Sequence, residues 1–142
     1  MKLRIVLDTA VLVAGLRSRN GPNNALLREI ALGNVEIVCT PALFLEYEDV
    51  LKRPEHIAAH RLSIEQVDDF LNELTTLIIP VDVHFHWRPQ LSDPDDEMVL
   101  EAAINGHADA IVTNNIKDFA GVSRKFNTQI LSPVEMLRKV RK

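Results

Sequence analysis

Apolar residues fall along this chain in short runs that alternate with stretches of helical spacing. LRIVL, residues 3–7, is apolar but for one arginine and too short for a helix, so it predicts a buried parallel strand. AVLVAGLRS and NNALLREIAL read as helices, the second stopped by Gly33 and Asn34. VEIVCT is a second strand, and Pro41 after it suits a helix N-terminus. The helix that follows runs from Ala42 to Lys52 and is ended by Pro54, and SIEQVDDFLNELTTLI is another, with Ser63 and Gln66 at capping-box spacing. VDVHFHW reads as a strand or extended arm. DEMVLEAAING predicts a helix, DAIVT a strand, TQIL a last short strand, and SPVEMLRKVRK a terminal helix with Ser132 as cap and Pro133 at its first position. Strands alternating with helices imply βαβ crossovers: an α/β fold whose central, mainly parallel sheet is flanked by helices. No repeat, low-complexity tract or linker interrupts the pattern, so residues 1–142 read as one domain.

The same pattern sets Asp8 at the C-terminal end of the first strand. In open α/β sheets this is the edge where loops converge and ligands bind. The loops after LRIVL, VEIVC and DAIV should all open there.

Composition narrows the class. A chain of 142 residues, 46% hydrophobic and 25% charged, matches an ordinary globule, and at this length about 68–70% of the unfolded surface is buried on folding. No run of about 18 apolar residues and no signal-like leader is present, so a cytoplasmic protein without a membrane span is expected. Cys39 is the lone cysteine and reads as a small core residue. Sixteen basic against twenty acidic residues leave a net charge of −4, which argues against coating nucleic acid by charge alone. The deficit has another meaning if several acids converge on metal, because bound divalent cations invert the local sign.

Three acid positions reach the ligand-binding edge: Asp8, an acid in PALFLEYEDVL and an acid in SDPDDEM. Such hard oxygen ligands suit Mg²⁺ or Mn²⁺, and metal-held water is a nucleophile for in-line displacement at phosphorus. Each acid has a structural reading beside the chemical one. Asp8 suits a helix N-cap. On the helix 42–52, Leu43, Tyr47, Val50 and Leu51 form one face, and Glu46 and Glu48 flank it about equally. Asp93, Pro94 and the acids behind them are what a helix N-terminus favours. Both Asp95 and Asp96 share the apolar side of that helix, where an unpaired charge is costly. His84 and His86 lie on one side of an extended VHFHW and form a candidate metal pair, with a structural role as the simpler account. Arg17, Arg19, Lys52 and Arg53 are candidate phosphate contacts, as is the RKVRK ending, whose cations also suit the helix dipole.

LRIVLDTAVLVAGL, PALFLEYEDVLKRP, SDPDDEMVLEAAINGHADAIVTNNIKDF and QILSPVEML, in that order, resemble the PIN domain, particularly the bacterial toxin-like branch related to VapC ribonucleases. The resemblance spans nearly the whole chain. It implies a PIN-like three-layer fold and Mg²⁺- or Mn²⁺-dependent cleavage of RNA phosphodiesters, with Asp8, Glu46 and Asp96 as the metal-binding and catalytic acids. Asn115 and Asp118 are the candidates for a fourth ligand position, and Thr9, Thr113 and Asn114, with Arg17 and Arg19, for positioning substrate. It also implies a small antitoxin partner and a homodimer. Two positions depart from the family pattern: Ala10 where Asn, Ser or Asp is common, and Asn115 where a TxD segment would bring an acid. They carry the alternative of a weak or inactive PIN-like binding module. A haloacid-dehalogenase-type phosphatase, which also starts from a strand-end aspartate, usually needs a second aspartate where Ala10 stands.

Overall fold

The computed structural model describes residues 2–84, 91 and 93–142. Its centre is a sheet of five strands: β1 (Arg4–Leu7), β2 (Glu36–Cys39), β3 (Ile78–Pro80), β4 (Ala110–Val112) and β5 (Gln129–Leu131). Their order is β3-β2-β1-β4-β5 and every pairing is parallel, with Ile5 opposite Ile37 and Leu7 opposite Val112. The α/β expectation therefore holds. β1 is central and its Ile5, Val6 and Leu7 are fully buried, as a strand covered on both faces requires.

Eight α-helices flank the sheet among the described residues: α1 (Thr9–Arg17), α2 (Pro22–Ala31), α3 (Pro41–Leu51), α4 (Pro54–His60), α5 (Ile64–Leu77), α6 (Pro94–Asn105), α7 (Val122–Phe126) and α8 (Pro133–Val140). α1 packs on α2, which packs on α8, and α3 packs on α1, α4 and α6. The predicted capping box is present: the Gln66 amide donates to Ser63 Oγ while Ser63 N–H donates to Gln66 Oε1. Ser132 caps α8 in the same way through Glu135, with Pro133 at the first position. No helix among the described residues is long and apolar enough to cross a membrane.

Three readings change. Pro54 does not only end α3. It opens α4, a seven-residue helix without an apolar stripe of its own, which the sequence pattern passes over. The third strand lies at Ile78–Pro80, ahead of VDVHFHW, because the apolar run ending the predicted helix leaves the helix at Leu77 and pairs with β2. Residues 81–84 form no strand and His84 is exposed; the rest of VDVHFHW, with His86, and the expectation that rests on it lie outside the described residues. A 3-10 turn at Ile116–Phe119 and α7 fill the stretch between β4 and β5.

The connections from β1 through β2 to β3 move outward on one side, whereas β4 and β5 lie on the other. The strand order thus reverses beside β1. A crevice opens at the carboxyl ends of strands at such a switch point, and Asp8 follows β1 there.

Candidate metal centre

Asp8 is held before any ligand arrives. Its amide donates to Val112 O (2.9 Å), extending the β1–β4 ladder by one residue, and the Thr113 hydroxyl donates to its Oδ2 (2.8 Å). It occupies the N-cap position of α1 without a side-chain capping hydrogen bond of good geometry, although the Thr9 and Ala10 amides still favour its charged form. The Thr113 hydroxyl is its direct side-chain partner. Thr113 is fully buried, and its oxygen also accepts the Asn115 N–H (2.9 Å). With no exposure to a substrate, its part is to fix Asp8 and the loop beyond β4.

α3 brings the second acid. Thr40 caps this helix through the Leu43 amide, and Tyr47 donates its hydroxyl to Leu7 O, tying α3 to the end of β1. The neighbouring Glu46 then lines a cavity of about 450 Å³ together with Asp8. Glu48, its rival on the helical wheel, instead pairs with Lys52 (3.0 Å) and is absent from the lining. Glu46 Oε1 is the one buried side-chain oxygen among the described residues that lacks a hydrogen bond; its nearest counter-charge is Arg53 Nη2 at 3.7 Å. A buried acceptor left open in this way calls for a missing partner.

α6 supplies the third. Asp93 caps it by accepting from the Asp95 amide (2.9 Å), so Asp93 fulfils the helix-start reading. Asp96 is only 9% exposed, whereas Asp95 is exposed, which separates the two acids that periodicity left equivalent. Asp93, Asp95, Asp96 and Asp118 all line the cavity.

Crowding of this kind shows in proton affinity. Burial, followed by repulsion from Asp8, Asp93, Asp118 and Asp95, pushes Asp96 up to about 7. Burial also raises Asp8, against the pull of the Thr113 hydroxyl and, less strongly, of the Ala10 and Thr9 amides. Glu46 is raised by burial and then by Asp95, with Arg53 opposing. All three shifts have one cause: several negative charges share one poorly solvated cavity.

Of the remaining sequence candidates, Thr9, Arg17, Asn114 and Asn115 line the same cavity, whereas Arg19 and Lys52 do not. Asn114 donates to Asn23 Oδ1 (3.0 Å), linking the β4 loop to the start of α2. His56 also lines the cavity, and sequence reasoning missed it because α4 was missed. Among the described residues no three His, Cys, Asp or Glu side chains are gathered at metal-ligand spacing, so the acids form a lining rather than a closed cage. Their hard oxygens and the open Glu46 acceptor fit a Mg²⁺- or Mn²⁺-sized dication, which keeps waters and takes few protein ligands.

Comparisons with known proteins bear on this arrangement. No curated protein matches the chain. In the solved structure of VapBC2 from Rickettsia felis bound to a DNA fragment from their promoter, one chain is similar at a TM-score of 0.61 and 16% identity, over 92% of this chain and 98% of that one. In the structure of FitAB bound to an IR36 DNA fragment, a chain is similar at a TM-score of 0.56 and 16% identity, over 91% and 94%. At these identities the likeness is one of fold. The family model for the PIN domain matches residues 4–117, from the start of β1 past Thr113, and the chain belongs to the PIN domain family.

Proposed function

We propose that the chain is a metal-dependent endoribonuclease and the toxin of a toxin–antitoxin pair. The observation that carries the reading is that Asp8, Glu46 and Asp96, from three separate elements, line one cavity with Asp118 at the sheet's switch point. Asp8, Glu46 and Asp96 would hold Mg²⁺ or Mn²⁺, with Asp118 and the carbonyl oxygen of the Asn115 side chain as further ligands. When bound, the metal supplies an activated water and charge stabilisation at the phosphorane-like transition state. Thr113 keeps Asp8 in a single orientation, and Tyr47 keeps α3 in register with β1. Thr9, Asn114 and Arg17, which line the cavity, would orient a substrate strand.

The partner half of the proposal is supported by the fold likeness to chains of the VapBC2 and FitAB assemblies. A small antitoxin would mask the acidic cavity, a basic side chain competing with metal there. A homodimer and a cytoplasmic setting complete the reading.

The experiment is cleavage of a labelled single-stranded RNA pool with Mn²⁺, Mg²⁺ or chelator. Metal-dependent cleavage by wild type, lost by at least about 100-fold in Asp8→Asn and Asp96→Asn, is the expected result. Binding of RNA without cleavage at any metal concentration would favour the second reading, an inactive PIN-like module, for which Ala10 and Asn115 speak. The PIN assignment weighs against the phosphatase, and turnover of p-nitrophenyl phosphate would reopen it.

A further inference from the structure

The wall of the acidic cavity is not wholly acidic: Arg17, Arg53 and His56 share it. Arg53 differs from the other two in its neighbours. Its Nη2 donates to Asp49 Oδ2 (2.7 Å) and stands 3.7 Å from Glu46 Oε1, inside ion-pair reach yet beyond hydrogen-bonding distance. Glu46 thus has a counter-charge without a hydrogen bond.

We propose that Arg53 couples the two ligands of this site, serving as the counter-charge of Glu46 while no metal is bound and as the holder of an RNA backbone phosphate once metal has taken that carboxylate. The inference rests on the metal-dependent nuclease reading. Its logic is electrostatic. A dication at Glu46 repels the guanidinium from one side, and a substrate phosphate attracts it from the other. Asp49 tethers the guanidinium at the rim throughout, using one of its five N–H donors and leaving others for a phosphate. Metal and RNA then favour each other's binding, and linkage makes the coupling equal in both directions.

Arg53 is a suitable place to test this. It occupies the N-cap position of α4 through its backbone, and its side chain makes no capping bond, so its truncation spares the helix start. Lys52 beside it is held by Glu48 (3.0 Å) and Asp68 (2.6 Å) and does not line the cavity, which makes Lys52→Ala a control of equal charge change.

The full chain is titrated with Mn²⁺ alone, followed by electron paramagnetic resonance, and separately with a fluorescent single-stranded oligonucleotide whose phosphorothioate linkages resist cleavage and keep the backbone charge, with and without saturating Mn²⁺. The two effects of Arg53→Ala have opposite signs. Mn²⁺ alone binds about two- to fivefold more tightly, since a competing cation worth up to about 1 kcal/mol is gone. The oligonucleotide with Mn²⁺ binds about tenfold more weakly, since a charge-assisted hydrogen bond is lost. Arg53→Lys, which keeps the charge but not the fork, retains wild-type Mn²⁺ affinity and loses part of the oligonucleotide affinity. Lys52→Ala moves neither constant beyond about twofold. A variant that merely perturbed the fold would weaken both ligands together, and that outcome, or unchanged constants in Arg53→Ala, overturns the coupling while leaving the nuclease reading in place. Wild type without saturable Mn²⁺ binding overturns both.

Discussion

At the scale of single residues, the site is a set of carboxylates crowded enough to raise one another's affinity for protons. Asp96 makes the crowding measurable. Its folded-state value, about 7, lies above the ordinary aspartate value of 3.8, so the folded chain binds a proton that the unfolded chain has released. Stability of the metal-free protein accordingly falls as pH rises from about 4 to about 7 and levels off above. Urea midpoints measured with chelator across that range should show this slope, and Asp96→Asn should flatten it while keeping or raising stability at neutral pH. A slope unchanged by the substitution would assign the titration elsewhere. The loop after β4 offers a second residue-scale prediction. An amide ligates without charge, so the Asn115 corner should hold metal weakly. Asn115→Asp should lower the Mn²⁺ concentration for half-maximal cleavage and Asp118→Asn should raise it. Metal titrations that move for neither would leave a site of three carboxylates.

Elements decide which of these residues meet. α3 is aimed by Tyr47, whose buried hydroxyl reaches Leu7 O and so joins the helix carrying Glu46 to the strand preceding Asp8. Tyr47→Phe should cost about 1 to 3 kcal/mol in urea unfolding, the range for leaving a buried polar group without its partner. It should also weaken Mn²⁺ binding, although Tyr47 touches no metal. A stability loss with unaltered metal affinity would show that α3 keeps its aim by packing alone. Tyr47 also marks the limit of what periodicity conveys: the spacing put it on the buried face and said nothing of its hydroxyl. Six of the helices and four of the strands were legible for ordinary reasons, namely apolar runs, prolines at helix starts and side-chain caps. α4, α7 and β3 were not. α4 and α7 are seven and five residues long and too short to show a stripe, and β3 is three residues attached to a helix whose apolar run continues into it. Among the acids, Asp8 was legible from its place after a strand. Between Glu46 and Glu48, and between Asp95 and Asp96, periodicity could not choose, because both members of each pair border the apolar face; burial and partners, which tell Glu46 and Asp96 from their rivals, depend on the tertiary neighbours.

For the whole molecule, the parallel sheet with its reversal of strand order beside β1 is what gathers acids from residues 8, 46, 96 and 118 into one crevice. On the proposed function, the chain without its partner should be harmful to its host. Overproducing the chain alone should slow growth, co-expression of the neighbouring reading frame should relieve the arrest, and Asp8→Asn should abolish the need for relief. Growth unaffected by the wild-type chain would remove the toxin assignment and leave the nuclease to be tested in vitro. The placement of β1 also sets a clock. Of the five strands, the earliest in sequence is the one in the middle, and Asp8 is fixed by a hydroxyl 105 positions later in the chain. Contacts so distant in sequence form late, because the loop between them must be closed before they contribute. A ribosome still translating β4 therefore carries a nascent chain in which the cavity does not exist, and Asp8 gains its fixed setting only after Thr113 has been made.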